Sequence, residues 1–302
     1  MKAIVQERFG PPEVLRPAEI DRPTVGAGQV LVRVRAAALN PYDWHMLRGD
    51  PYVARLIGGV GLTRPRQRVA GIDAAGQVEA VGAGVQGLRP GDEVLGFCPG
   101  AFAEYARTTP DLLVPKPPGL TFAQAAAVPM GAVTALRGIR TVGRVRAGQR
   151  VCSAGNAGLV RSLGAAHVVD HAREDFTERH GRYDVILDNV GNHPPTRLRR
   201  ALTPTGTLVA NGGGSPGRVF GAVGSLLRTA ALDTVVRQRL RPILPSAPSG
   251  PTHEDLLAVT ALVDSGRLTP VVDRTYALAD TAEGLRHVER GHARGKAVIT
   301  VP

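Results

Sequence analysis

Asn40-Pro41-Tyr42-Asp43-Trp44-His45 brings an amide, a carboxylate and an imidazole into six consecutive residues. Donor groups near Asn40, Asp43 and His45 could hydrogen-bond a carbonyl oxygen as charge develops on it. Imidazole titrates near neutrality, so His45 could also act as a general acid. Plainer roles stand beside these: His45 as a half-exposed side chain next to Trp44, Asp43 as a helix cap or as the partner of an arginine such as Arg48. Farther along, Asn189-Val190-Gly191 and Gly212-Gly213-Gly214 are small, polar runs of the kind that form ligand-binding turns. Metal chemistry finds little support. The two cysteines, Cys98 and Cys152, supply neither a disulfide framework nor a Cys-rich zinc lobe, and His287 and His292 have no matching ligand cluster.

The elements that must position these residues fall into two kinds. Up to about residue 120 the pattern is β-rich. Val30 to Ala36 alternates apolar and charged side chains, Gly76 to Gly82 repeats this, and Leu88 to Gly96 and Ala101 to Ala106 add short strands between Gly/Pro turns. Such spacing predicts a small, closed or strongly curled β domain. From Thr121, which with Gln124 forms a capping-box pattern, Phe122 to Met130 reads as a helix. Helices at Leu159–Gly164 and Thr196–Leu202 then alternate with strands at His167–Asp170, Tyr183–Asp188 and Gly206–Ala210. Apolar strands alternating with helices imply a parallel sheet covered on both faces, with ligands beyond the carboxyl ends of its strands, where Asn189–Gly191 and Gly212–Gly214 fall. An amphipathic helix is expected over Val223–Leu240, a surface loop over Pro242–Pro251, helices over Glu254–Ser265 and Thr281–Arg290, and strands near Val271 and over Lys296–Val301.

Composition bounds the function. The chain has 302 residues, 43% of them hydrophobic and 21% charged, so it can bury sizeable cores and is not a disordered chain. The net charge of +11 is almost all arginine, since Lys2, Lys116 and Lys296 are the lysines, and the arginines are scattered rather than aligned in a stripe. With aromatics at 4% there are too few stacking platforms for a nucleic-acid binder. No apolar run reaches the ~18 residues of a membrane span, and the N-terminus lacks the apolar core of a secretory signal. A cytoplasmic protein acting on a small molecule, with neither nucleic acid nor membrane as partner, is the expectation.

The order of several strings resembles the zinc-independent quinone oxidoreductase branch of the medium-chain dehydrogenase/reductase (alcohol dehydrogenase-like) family. They are Asn40-Pro41-Tyr42-Asp43, Gly71-Ile72-Asp73-Ala74-Ala75-Gly76 with Val81-Gly82, Arg89-Pro90-Gly91-Asp92-Glu93-Val94, Gly100 to Tyr105, Ala126-Ala127-Val128-Pro129 with Thr134-Ala135-Leu136, Asp188 to Gly191, and Gly295 to Ile299. The resemblance implies an α/β protein with a GroES-like catalytic domain, 1–120 completed by 267–302, and a doubly wound Rossmann-type nucleotide-binding domain, 121–266. It implies hydride transfer from NADPH to quinones, enones or similar activated carbonyl compounds, with a homodimer paired through the sheet edge of the nucleotide domain. Where zinc-dependent members have Gly-His-Glu, this chain has Gly71-Ile72-Asp73, so no zinc is expected. By the same resemblance Thr134, Asn189, Val190, Gly191, Gly212, Gly213, Gly214 and Lys296 serve the nicotinamide end of the cofactor, and Ser153 and Asn156 its ribose or 2′-phosphate.

One departure bears on that function. Arg146-Ala147-Gly148-Gln149-Arg150-Val151 opens the first strand of the nucleotide-binding half, but Cys152-Ser153-Ala154-Gly155-Asn156 follows at once and resembles what comes after the second strand. A βαβ unit needs ~30 residues or more, so the glycine-rich turn, its helix and most of the second strand are absent as one block. Gly155-Asn156-Ala157-Gly158 read as a shortened glycine turn is the rival. On either reading the usual fingerprint is missing. At ~1.5–3 kcal/mol for each charge-assisted hydrogen bond to the pyrophosphate, losing two or three weakens binding ~10²–10⁵-fold. A cofactor-free relative, using the old cleft for non-redox chemistry or binding, is therefore the alternative.

Overall fold

Val30–Ala38 forms a nine-residue strand in which seven side chains are buried and Arg33 faces solvent. In the computed structural model it is the strand around which the first half of the molecule is built. The structure describes residues 1–57, 60–153, 175–178, 183–189, 191, 193–211, 221–243, 251–291 and 293–302. The chain divides into two units, one made of Met1–Asp50, Arg55–Val133 and Pro251–Pro302, the other of Pro51–Ala54 and Thr134–Gly250.

In the first unit, β1 (Lys2–Val5) and β2 (Arg16–Glu19) form an antiparallel pair. The long strand, β3, belongs to a seven-stranded sheet with β4 (Asp73–Val81), β5 (Glu93–Phe97), β6 (Tyr105–Thr108), β7 (Leu113–Pro115), β12 (Val272–Ala277) and β13 (Lys296–Thr300). The order is β12-β13-β3-β4-β5-β7, with β6 also paired to β3. The C-terminal strand thus completes the N-terminal β domain. The strand expected over Ala101–Ala106 instead begins at Tyr105, because the backbone ahead of it bonds to β1, the Ile4 amide donating to the Phe102 carbonyl at 2.8 Å and the Glu104 amide to the Lys2 carbonyl at 3.0 Å. Helix α1 (Pro41–Arg48) follows β3 directly, and a short helix α2 (Tyr52–Ile57) comes after it.

The helix expected over Phe122–Met130 is two helices, α3 (Phe122–Ala126) and α4 (Pro129–Arg137). Thr121 caps α3 as the sequence indicates, its hydroxyl accepting from the Gln124 amide at 3.2 Å. The break lies where a proline disfavours helical backbone in the residue before it, here Val128. Helix α3 packs on β3 and β4. Residues 121–133 and 251–266, read from the sequence as part of the nucleotide-binding half, fall in the first unit. A helix at His253–Asp264 buries Leu256, Val259 and Leu262 and packs on β7, and that apolar face holds 251–266 there.

The second unit carries a parallel sheet of β8 (Val151–Ser153), β9 (Tyr183–Asp188), β10 (Leu202–Ala210) and β11 (Arg239–Pro242), in the order β11-β10-β9-β8. Val151 lies opposite Val185 and Cys152 opposite Ile186, so the two residues at the junction sit in one strand. Helix α5 (Pro195–Ala201) precedes β10, and α6 (Gly221–Asp233) lies between β10 and β11. The helix expected over Val223–Leu240 therefore stops seven residues early. Its reason is local: the Asp233 carboxylate accepts from the Leu240 amide at 2.6 Å, and Leu240, wholly buried between exposed Arg239 and Arg241, enters the sheet with a strand's alternation. The expected elements at Leu159–Gly164 and His167–Asp170 lie outside the described residues, as does most of the expected loop after Pro242. After the His253–Asp264 helix, α7, comes α8 (Thr281–Glu289), tied to α1 by an Arg48–Glu289 ion pair at 2.5 Å.

Gly76 stands where β3 and β4 cross most closely: a Cβ there would lie 2.1 Å from the Arg33 carbonyl oxygen. That contact is with backbone, which cannot swing aside. Gly76→Ala is expected to destabilise the protein by about 1–3 kcal/mol, read as a lowered urea midpoint at unchanged slope.

Candidate active site

The register of the first unit's sheet brings together residues far apart in sequence. Strand β3 is antiparallel to both β4 and β13, so its end lies beside the start of each. Ala38 is opposite Asp73 on one side and Val298 on the other, and the Leu39 amide donates to the Ala297 carbonyl at 2.9 Å. Asn40, Asp73 and Lys296 meet there.

Asp73 is wholly buried. Its carboxylate accepts from the Asn40 Nδ2 at 3.2 Å and from the Met130 backbone N–H at 3.1 and 3.2 Å, and lies 3.7 Å from Lys296 Nζ. The Met130 amide is in the first turn of α4 and has no partner within that helix, so Asp73 caps α4 across the fold. Lys296 Nζ donates to Asn40 Oδ1, which fixes the amide with its nitrogen toward Asp73 and the Ala38 carbonyl. Gly131 leaves the room: a Cβ there would lie 3.2 Å from Lys296 Cε.

Asp43 is almost as deep, and its carboxylate accepts from the Asn40 backbone N–H at 2.7 Å while its own amide donates to the Asn40 carbonyl at 3.0 Å. It is therefore a cap on the first turn of α1, one of the plainer roles open to it, and Arg48 pairs with Glu289 instead. Burial pushes the Asp43 carboxyl up to about 7, with the charge of Asp73 adding to the shift. Burial raises Asp73 to about 6 against the opposing pull of Lys296. The neighbouring Cys98 thiol is pushed up to about 12 by burial and by Asp73.

His45 stands apart from this chain of contacts. Its ring stacks on Trp44 at 3.7 Å between centroids, and Nδ1 lies 3.2 Å from the Asp50 carbonyl oxygen. Burial lowers its pKa, which favours the neutral ring and weakens it as an acid. Of the residues expected at a cofactor, Lys296 is thus joined to Asn40, and half-buried Thr134 lies on α4. In the second unit, Asn189 and Gly191 follow β9, and Asn211 follows β10. Asn211 Nδ2 donates to Asn189 Oδ1 at 3.1 Å, and the Gly191 amide, at φ 70°, donates to Asp188 Oδ1 at 2.8 Å. These small polar groups lie at the carboxyl ends of parallel strands, where ligands bind in such sheets. Ser153 ends β8; Asn156, Val190 and Gly212–Gly214 lie outside the described residues, as does His292. Among the described residues no three His, Cys, Asp or Glu are grouped to hold a metal ion.

Asp73, the Met130 amide and Gly131 are the parts that sequence reasoning missed. The available signal was a charged residue opening the strand Asp73-Ala74-Ala75-Gly76, otherwise made of small, buried residues.

Both carboxyls hold protons in the folded protein above the ordinary carboxylate range, so between about pH 4 and pH 7 the native state binds more protons than the unfolded chain. Their contribution to stability is full below that window and is lost as pH rises through it. Asp43→Asn, which keeps an acceptor but cannot ionise, is expected to flatten this fall. The check is urea unfolding at about pH 5 and pH 7.5, where the wild type loses more unfolding free energy than the variant.

Comparison with known proteins places this arrangement. Residues 26–118 match the family model of the alcohol dehydrogenase GroES-like domain and residues 163–299 that of the zinc-binding dehydrogenase. The chain is 30% identical to the human mitochondrial NAD(P)H oxidoreductase RTN4IP1, over 100% of this chain and 89% of that protein. It is 28% identical to the tomato (Solanum lycopersicum) 2-methylene-furan-3-one reductase, over 99% of this chain and 79% of that one. It also spans 14% of the length of a spectinabilin polyketide synthase system protein from Streptomyces orinoci, at 30% identity over 96% of this chain. The quinone oxidoreductase of Coxiella burnetii superposes with a TM-score of 0.79 at 26% identity, covering 100% of this chain and 99% of the other. The tomato alignment runs over 342 positions against the 302 residues here, so at least 40 residues of that relative have no counterpart. The two matched stretches leave 119–162 between them, which includes the Val151-Cys152 junction. No helix among the described residues is long and apolar enough to cross a membrane. A GroES-like β unit joined to a parallel-sheet unit, with relatives matching along the whole chain, shows an oxidoreductase that belongs to the quinone oxidoreductase branch of the medium-chain dehydrogenase/reductase, alcohol dehydrogenase-like family.

Proposed function

We propose that the chain is an NADPH-preferring reductase of quinones, enones or similar activated carbonyl compounds, working by hydride transfer without zinc. The observation that carries this reading is the buried chain from Asp73 through Asn40 to Lys296, which ends in a partly exposed ammonium. A preorganised positive donor at a site of low dielectric stabilises an oxygen as it gains charge, which is what a reduced carbonyl or quinone requires of its protein. The names of the tomato and Coxiella relatives, a 2-methylene-furan-3-one reductase and a quinone oxidoreductase, support the substrate class.

When bound, reduced nicotinamide supplies the hydride. Asn189, Gly191 and Asn211 are the described residues suited to the ribose and amide of that cofactor, with Ser153, Asn156, Val190 and Gly212–Gly214 assigned to it by the family resemblance. Lys296, held by Asn40, orients the substrate oxygen. Asp73 holds the Asn40 amide and the Lys296 ammonium in place, Asp43 holds the Asn40 backbone, and neither touches a ligand.

A second reading is favoured by one specific observation: Val151 and Cys152 are continuous in β8, where the resemblance calls for a glycine-rich turn and its helix. A chain without that turn could have kept the cleft and lost the cofactor. NADPH fluorescence titration, with NADPH oxidation followed at ~340 nm against benzoquinone and 2-cyclohexen-1-one, separates the two. The reductase reading expects micromolar to sub-millimolar binding, weaker by ~10²–10⁵-fold than an intact pyrophosphate turn would allow, together with turnover. No binding at millimolar NADPH supports the cofactor-free relative instead.

A further inference from the structure

We propose that the Lys296 ammonium is the proton donor of the reduction, with Asp73 and Asn40 as the residues that position and charge it; this rests on the reductase reading above. Three features of the site point to it.

The first is the direction of the contact chain. Asp73 is wholly buried, whereas the Lys296 side chain keeps 20% of its surface exposed, so the lysine is the end of the cluster that opens to solvent. One ammonium hydrogen goes to Asn40 Oδ1 and a second faces Asp73 Oδ2 at 3.7 Å, which leaves the third for a ligand. The second feature is the room made for it. Gly131 lacks the Cβ that would press on Lys296 Cε, so the lysine stem can lie against the first turn of α4. Helix α4 is itself anchored there by the Met130 amide on Asp73.

The third is charge. The titratable groups around the ammonium are Asp73 from β4, Asp43 from α1 and the Cys98 thiol beyond β5. The thiol keeps its proton throughout the neutral range. Asp73, with both oxygens on donors and a pKa of about 6, is ionised at neutral pH and places a carboxylate beside the Lys296 ammonium. His45, the other acid in reach of the sequence pattern, has one ring nitrogen on the Asp50 carbonyl and a pKa lowered by burial.

The step balances as follows. A bound reduced dinucleotide would supply a hydride, one hydrogen with two electrons, to the electrophilic carbon of an enone or to one oxygen of a quinone. The displaced π pair moves onto the conjugated carbonyl oxygen. An O–H bond forms there as one Nζ–H bond of Lys296 breaks. The neutral amine then regains a proton from water, favoured by the adjacent Asp73 carboxylate.

The test uses the full chain in two arms. In the first, kcat for NADPH oxidation is measured from about pH 6 to pH 10 for the wild type, Lys296→Met, Gly131→Ala and Asp73→Asn. Lys296→Met is expected to lower kcat ~10²–10³-fold and to abolish the basic limb of the profile. Gly131→Ala, which keeps every ionisable group, is expected to give a smaller loss with the basic limb retained. Asp73→Asn should move that limb to lower pH, which a purely structural role would not do. The second arm needs no cofactor. With only Lys2, Lys116 and Lys296 present, ¹⁵N-lysine ammonium spectra contain three signals, assigned by single Lys→Arg variants. The Lys296 signal should shift as pH crosses the neutral range, and Asp73→Asn should abolish that shift. Turnover in the wild type with an unchanged basic limb in Lys296→Met, or a Lys296 signal indifferent to Asp73→Asn, overturns the role while the reductase reading stands. A wild type that binds no NADPH overturns that reading and the role with it.

Discussion

The Asp73 carboxylate sits with no exposure to solvent at the meeting point of three strands and a helix, and it accepts from the Asn40 amide and the Met130 N–H beside the Lys296 ammonium. A buried carboxylate must be surrounded by donors or protonated, because charge in an apolar interior is otherwise too costly. Here that requirement does more than stabilise. It obliges the end of β3, the start of β13 and the first turn of α4 to meet at one place, and it leaves Lys296 as the member of the cluster that faces a ligand. Asp43 repeats the device one helix away, fastening the backbone of Asn40 from the other side. The site is a consequence of satisfying two buried acids with one lysine, one amide and two backbone N–H groups.

The second unit shows the complementary situation. Its parallel sheet places Asn189, Gly191 and Asn211 at the carboxyl ends of β9 and β10, where the fold's ligand chemistry belongs. Yet β8 carries Val151 and Cys152 without interruption, and a relative such as the tomato reductase has at least 40 residues with no counterpart here.

Much of the fold was legible because it is written locally. The alternation of Val30–Ala38, the cap at Thr121 and the apolar runs of β9 and β10 each declare themselves within a few residues. Asn40 and Asp43 were legible for the same reason, as neighbours in one short polar string. Asp73 was not, because its role comes from register: it is 33 residues from Asn40, and Asn40 is 256 from Lys296. No local pattern encodes that three strand ends coincide. The helix read through Leu240 failed on a different competition, between an amphipathic pattern that continues past Asp233 and a single capping carboxylate with a short alternating strand. The outlines of elements follow from propensity and period, whereas the composition of a buried polar cluster follows from tertiary pairing.

Amide hydrogen exchange at Met130 tests the central claim most directly. At the second residue of α4 this N–H has no helical acceptor, and the Asp73 carboxylate is its partner. Exchange in the ligand-free protein is expected to be as slow as for the amides of the β3–β4 ladder, and to become fast in Asp73→Ala, which removes the acceptor. Exchange at Met130 as rapid as at an uncapped helix start in the wild type would contradict the account.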